Sequence, residues 1–300
     1  MTTQSTADPA SVSAAGDAPV TPGTAGAHDR AVQRLRAARG FVLDMDGVLY
    51  RGNTLLPGVA DFLNALDLRG IPYMLATNNS TATAVQYVAK LAALGITVDA
   101  EHILTSGMAT RDYLLKALPA GAGIYVVGAP ALREQLFDGT PFHPVQYGEE
   151  TPTAVVVGLD VDFTYAKLKA ANAAIRAGAV FIATNADLTL PTEEGLVPGS
   201  GSIIAAVAAA SGTQPTVIGK PEPVSLLQAL DVMNVPPDRA VMIGDRLETD
   251  ILAGQRAGML TAMVLTGVST RDDLPGAPAL PDLIFNDLPA LTEALAASDR

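Results

Sequence analysis

The stretch Leu43-Asp44-Met45-Asp46-Gly47-Val48-Leu49-Tyr50 decides how the chain is read. It follows a short apolar run, Gly40-Phe41-Val42-Leu43, which predicts a parallel strand buried on both faces. Asp44 and Asp46 then stand just past the strand's carboxyl end, where open α/β sheets bind their ligands. Gly47 lets the backbone turn sharply away from the pair. A short β-rich segment is expected to carry the chain over the site, and Pro57-Gly58 to introduce a helix. Like charges this close are costly unless a cation sits between them or one carboxyl stays protonated. Both arrangements suit phosphoryl transfer, one Asp attacking and binding metal while the other carries a proton. Taken alone, Asp44-Met45-Asp46-Gly47 reads equally well as a solvated turn.

Working outward, strand and helix alternate. Phe62, Leu63, Leu66 and Leu68 have helical spacing within Val59 to Leu68, and Gly70 stops that helix. Ile71 to Ala76 is a second strand, ending in Thr77-Asn78-Asn79-Ser80. Ser80 or Thr81 is expected to cap the next helix, whose apolar face holds Val85, Val88, Ala92 and Leu94. A third strand at Ile103 to Thr105 precedes a helix from Met108 to Leu118. The composition turns flexible at Pro119 to Gly123 and again at Ser211 to Pro215. Between these links the rhythm restarts, with strands at Ile124 to Val127, Ala154 to Gly158 and Ala179 to Ala183. Helices there fall near Ala131 to Phe137, Tyr165 to Ala177 and Ser202 to Ala210. The first sheet resumes with Ala240 to Ile243, Leu260 to Leu265 and Leu283 to Phe285.

This pattern predicts an α/β protein: a Rossmann-like, doubly wound parallel sheet over residues 31–119 and 215–300, with an α/β cap inserted at residues 120–214. One continuous large α/β domain is the alternative. Links of this kind absorb backbone rotation when domains close. Residues 1–30 are mostly Ala, Thr, Ser, Pro and Gly, with neither the basic start nor the apolar middle of a signal peptide. They are expected to be a disordered tail, with a short helix from Ala31 to Ala38 leading into the first strand.

At 300 residues, 49% of them apolar, the chain can bury a sizeable core and two domains are expected. The formal charge of −12 argues against nucleic acid or an anionic membrane as partner. A phosphate substrate would need local help from Lys and a metal. The lack of cysteine excludes thiol catalysis, disulfides and thiolate metal sites, and fits a reducing compartment. No apolar run reaches membrane-spanning length, so a soluble, cytoplasmic protein is expected. His28, His102 and His143 lack metal-ligand spacing and read as structural or surface residues.

Three further signals carry chemistry. Thr77, at a strand end, with Asn78 and Asn79 at a helix start, offers a hydroxyl and free N–H groups to an anion, though it also reads as an ordinary cap. Lys220, constrained between Gly219 and Pro221, can neutralise a phosphoryl group, or be a surface lysine in a turn. In Val241 to Ile251, Asp245 ends a strand and Asp250 heads a helix. Asp44 and Asp245 could share a hard cation such as Mg²⁺ if their strands are neighbours. Glu248 is expected to face solvent or pair with Arg246. Four strand ends thus carry, in order, Asp-x-Asp, Thr, Lys and Asp.

This ordered set resembles the haloacid dehalogenase-like hydrolase superfamily, specifically its NagD-like phosphatases, over about Arg39 to Leu291. The carrying residues are Asp44 to Val48, Ala76 to Ser80, Gly219 to Pro221 and Gly244 to Ile251. Thr184 to Thr192 and Pro198 to Ser202 are similar to the subgroup's cap loop. The resemblance implies Asp44 as nucleophile and Asp46 as the acid that protonates the leaving oxygen and later activates water. It implies Mg²⁺ held by the Asp44 carboxylate, the Asp46 carbonyl and Asp245, with Asp250 in support. Thr77, Asn78 and Lys220, with Asn79 in the same loop, would hold the phosphate. Asp46 favours a phosphatase, because family dehalogenases and ATPases carry other residues there. The implied substrate is a small phosphorylated metabolite such as a sugar phosphate, phosphoglycolate or a nucleoside monophosphate, and the implied cap carries a dimer interface. Asn185 and Asp187, in the polar loop after the Ala179 to Ala183 strand, are the expected specificity residues. A phosphotransferase and a non-catalytic module that binds a phosphorylated ligand are the competing readings.

Overall fold

The computed structural model describes residues 25–146, 148–192 and 195–297. Its larger sheet has six strands in the order Leu283–Phe285, Leu260–Val264, Ala240–Gly244, Gly40–Leu43, Tyr73–Thr77, Ile103–Thr105. Every neighbouring pair is parallel. Both Gly40–Leu43 and Ala240–Gly244 are buried at every residue, as their unbroken apolar sequences require. From Gly40–Leu43 the chain builds the sheet first to one side and then to the other. The crevice of such a sheet opens at the carboxyl ends of the strands where the order reverses.

A second parallel sheet, ordered Thr216–Val217, Val180–Ala183, Ala154–Val157, Gly123–Val127, His143–Pro144, is built from chain inserted into the first. The fold is therefore a Rossmann-like core with an inserted α/β cap. The two sheets are separate, yet one apolar cluster joins Val42, Met74 and Leu104 of the larger sheet to Ile124, Val126 and Ile182 of the smaller, with helix residues Leu114, Leu132 and Leu226 between.

Local chemistry accounts for the helices that frame the crevice. Val59–Leu68 buries Val59, Phe62, Leu63 and Leu66, a three-and-four spacing on one face. The helix Ala84–Ala93 is capped by Thr83, whose hydroxyl accepts the Gln86 N–H while the Gln86 side chain accepts the Thr83 N–H. The expected cap at Ser80 or Thr81 is displaced because Asn79 Oδ1 takes both the N–H and the hydroxyl of Thr81, at 2.7 and 2.8 Å. That turn delays the helix. After Asp46 the chain forms the antiparallel pair Tyr50–Arg51 and Thr54–Leu55, the expected β-rich crossing.

Five elements differ from the sequence expectation. The first helix spans Ala25–Arg36, so residues 25–30 are helical, while residues 1–24 lie outside the described residues. Packing holds it: Ala31 and Leu35 are buried and the Arg36 guanidinium donates to Ala294 O at 3.0 Å. His143–Pro144 and Thr216–Val217 are strands too short to show a period. Thr216–Val217 pairs with Ile182–Ala183, so the cap sheet extends beyond residue 214 and Lys220 follows a cap strand, not a core strand. Within the loop expected over 185–192, Thr189–Thr192 pairs antiparallel with Gly195–Pro198. Among the described residues no helix is long and apolar enough to cross a membrane.

Candidate active site

The register of the two central strands brings the acidic residues together. Leu43 pairs with Ile243, and Asp44 N–H donates to Ile243 O at 2.9 Å, so Asp44 and Asp245 leave neighbouring strand ends side by side. Carboxylate oxygens of Asp44, Asp245 and Asp250 lie within 4.8 Å of one another. Asp245 is 1% exposed; its Oδ2 accepts the Val268 N–H at 2.7 Å, while its Oδ1 has no partner among the described residues. Gly47 is required here twice over. Its φ of 88° is left-handed, and a Cβ on it would stand 2.5 Å from Asp245 Oδ2.

Lys220 stands against two of these acids. Its buried ammonium donates to Asp44 Oδ1 at 2.5 Å, Asp250 Oδ1 at 2.7 Å and Ala76 O at 3.2 Å, which uses all three protons. Asp250 Oδ2 accepts the backbone N–H groups of Asp245 and Arg246, at 3.2 and 3.1 Å. Asp250 therefore secures both the lysine and the turn that aims Asp245.

Three clustered carboxylates face one ammonium, which only Asp44 and Asp250 touch, and the imbalance shows in their acidity. Burial, then the Asp250 charge, raises the Asp44 carboxyl to about 7 despite Lys220. Burial, with the charges of Asp250 and Asp44, raises Asp245 to about 8. Burial alone would weaken the Lys220 ammonium, but Asp250 and Asp44 outweigh it and hold its pKa above the ordinary value. An all-oxygen donor set with surplus negative charge and an unpartnered buried oxygen fits a hard divalent cation.

Asp46, two residues from Asp44, faces the open cleft. Partial desolvation raises its carboxyl, against the pull of Lys90, Arg246 and Arg51. The cleft encloses about 900 Å³, its solvent-open mouth included, between the carboxyl ends of the two sheets. Asp44, Asp46, Thr77, Asn78, Asn79, Asn185, Asp187, Lys220 and Asp250 all line it.

Their engagements differ from what was expected. Asn79 is committed to its own loop, with its N–H on Thr77 Oγ1 at 3.1 Å and its Oδ1 on Thr81. The Asn78 side chain is a clasp. Its Nδ2 donates to Lys220 O at 2.8 Å and to Asp187 Oδ2 at 3.1 Å, and its Oδ1 accepts Lys220 N–H at 2.8 Å. Asn185 Nδ2 donates to Asn78 O at 2.7 Å, and Asn185 Oδ1 accepts the Asp187 N–H at 3.1 Å. Asn185 and Asp187 thus bind the cap to the Thr77–Asn79 loop. Glu248 is exposed and forms no salt bridge with Arg246, which lines the cleft instead. His102 lies against Tyr73 and His143 pairs with Glu150, both outside the cleft lining.

Sequence reasoning missed Tyr50, Tyr87, Lys90 and Arg246 in the cleft wall, and the loop at 266–269 that seats Asp245. That loop is tied in by Thr266 Oγ1 to Gly47 O at 2.6 Å. Tyr87 and Lys90 are three apart on the helix that follows the Thr77 loop, a spacing that could have marked them as facing one way. Tyr87 meets the side chains of Thr77 and Asn79, and burial raises its phenol to about 12.

Comparison with known proteins agrees with this geometry. The family described as haloacid dehalogenase-like hydrolase matches residues 41–138, and a second, described as HAD-hydrolase-like, matches residues 217–291. An acid sugar phosphatase of Staphylococcus aureus is 37% identical over 266 residues, 89% of this chain and 100% of that protein. The crystal structure of a glycerol phosphate phosphatase from Mycobacterium tuberculosis in complex with magnesium is 36% identical, with a TM-score of 0.79 over 86% of this chain and 78% of that one. NagD from Escherichia coli K-12 is 33% identical, with a TM-score of 0.77 over 87% and 98%. The two family matches cover the core and the first part of the cap, and with the Staphylococcus aureus and Escherichia coli relatives, aligned over nearly their whole length, they establish that the chain belongs to the haloacid dehalogenase-like hydrolases, in their NagD-like subgroup.

Proposed function

We propose that the protein is a Mg²⁺-dependent phosphatase that hydrolyses small organic phosphomonoesters through an aspartyl-phosphate. The observation that carries this reading is the Asp44–Asp245 pair, with one buried Asp245 oxygen unpartnered among the described residues, beside Lys220 and an open Asp46. The carboxylates of Asp44 and Asp245 and the Asp46 carbonyl would hold the ion, which when bound neutralises the phosphate and its attacking oxygen. The relatives named acid sugar phosphatase and glycerol phosphate phosphatase support a small polar alcohol as leaving group.

The chain's own residues divide the chemistry. The Asp44 oxygen attacks phosphorus in line as the bond to the leaving oxygen breaks, and Asp46 gives that oxygen its proton. Asp46, now ionised, takes a proton from the water that attacks the aspartyl-phosphate. Inorganic phosphate leaves and Asp44 is regenerated. Lys220 orients Asp44 and supplies positive charge beside the phosphoryl group. The Thr77 hydroxyl and the Asn78 N–H are the donors for phosphoryl oxygens, since the side chain of Asn78 is spent on Asp187 and Lys220.

Purified protein with Mg²⁺ should release inorganic phosphate from members of a phosphometabolite panel. Excess chelator should abolish the release, and Asp44→Asn should be folded and inactive. Turnover that survives either treatment would sink the mechanism. Phosphate appearing on an added alcohol instead of in solution would make the protein a phosphotransferase.

A further inference from the structure

The cleft contains two cations that the chemistry above does not use. Lys90 and Arg246 both line it, both are half-buried, and neither has a carboxylate within salt-bridge distance among the described residues. The Lys90 ammonium lies over the Tyr50 ring, 3.8 Å from its centroid, and donates to no protein acceptor among the described residues. The Arg246 guanidinium donates none of its N–H groups to a protein acceptor there either, because Asp250 bonds only the Arg246 backbone. Lys220, by contrast, is saturated by Asp44, Asp250 and Ala76.

Their position separates them from the phosphate loop. Tyr87 touches Thr77 and Asn79, whereas Lys90 lies one turn further along the same helix, about 4.5 Å on. Asp46 sits among these charges, since Lys90 and Arg246 both act on its carboxyl, and Tyr50 bridges to the Asp46 backbone. In the proposed mechanism Asp46 marks the leaving oxygen, so Lys90 and Arg246 flank the leaving group.

We propose that Lys90 and Arg246 form a second anion subsite, and that preferred substrates are phosphomonoesters with another negative group a few atoms from the ester. This rests on the phosphatase reading for its orientation. A half-buried cation with unspent N–H groups gains charge-assisted hydrogen bonds from such a group and nothing comparable from a hydroxyl. In a chain of net charge −12, two cations in the same cleft with no carboxylate within salt-bridge distance among the described residues provide that attraction locally.

The test uses ligands that cannot be hydrolysed, on the full protein with Mg²⁺. Calorimetry compares 3-phosphonopropionate with 3-hydroxypropylphosphonate, which differ by carboxylate against hydroxymethyl. Propane-1,3-bisphosphonate separates a preference for phosphate from one for carboxylate. Either ligand with an anionic tail should bind about tenfold or more tighter than the one with the hydroxyl tail. Lys90→Gln should bring that ratio close to one, and Lys90→Arg should keep it. Equal affinities for all three, or a ratio that Lys90→Gln leaves unchanged, overturn the subsite. Turnover of the matching esters, phosphoglycolate and 2-hydroxyethyl phosphate, is measured alongside. If neither is hydrolysed, the phosphatase reading falls while the phosphonate ratio still decides the subsite.

Discussion

Asp44 and Asp46 are neighbours in sequence with opposite surroundings, and that contrast divides their work. Asp44 is held by Lys220 at 2.5 Å with its side chain only 14% exposed, whereas Asp46 is exposed to the cleft they share. A positioned general acid is worth about 10²–10⁴-fold, and most when the leaving group is poor. Asp46→Asn should therefore reduce hydrolysis of an alkyl phosphate far more than that of an aryl phosphate with an acidic phenol. Equal losses on both would show that Asp46 acts only in clearing the aspartyl-phosphate, which would then accumulate on the variant. Gly47 permits the arrangement. In Gly47→Ala the left-handed φ of 88° is strained and the new Cβ crowds Asp245 Oδ2. The cost should exceed about 1 kcal/mol in chemical denaturation, and Mg²⁺ affinity should fall with it. An unchanged midpoint and affinity would show that the turn can relax.

Between elements, the informative contact is the clasp from Asn78 to the cap. A carboxylate at Asp187 looks on sequence grounds like a reader of substrate hydroxyls. In the fold both its oxygens lie 3.1–3.2 Å from Asn78 Nδ2, and Asn185 holds its backbone. Asp187→Ala should then lower kcat/KM alike for a minimal ester and a bulky one. A hydrogen bond to a charged group is worth about 1.5–3 kcal/mol, or roughly tenfold and more. Asp187→Asn, which keeps an acceptor for Asn78, should retain most activity. A loss confined to the bulky ester would return Asp187 to substrate selection. The reason such contacts are not legible in the sequence is general. Gly40–Leu43 and Ala240–Gly244 announce themselves because burial demands an apolar run, and Asp44, Asp245 and Lys220 because strand ends and turns have local signatures. Who meets Asp187, Lys90 or Arg246 depends on how separate elements dock, which no local pattern encodes. Thr216–Val217 had no length in which to show a period, so the core was expected to resume at residue 215, ahead of this last cap strand.

At the scale of the molecule, the site sets stability against function. Asp44 and Asp245 have folded pKa values near 7 and 8, raised from an ordinary value of 3.8 chiefly by burial. A carboxyl raised in this way binds its proton more tightly when folded. Its contribution is complete below the unfolded pKa and lost as pH rises through the folded one. Without a divalent cation the protein should accordingly lose stability between about pH 4 and pH 8, through these two groups. A cation that binds only the folded, ionised site reverses that loss by mass action. Thermal unfolding at pH 5 and pH 8, in chelator and in Mg²⁺, should show a larger Mg²⁺-induced rise in Tm at the higher pH. Asp245→Asn removes one of the crowded charges and should melt above the unsubstituted protein in chelator at pH 8, while losing its response to Mg²⁺. A variant that melts lower in chelator, or keeps the Mg²⁺ response, would mean that Lys220 already balances the cluster and that Asp245 does not hold the ion.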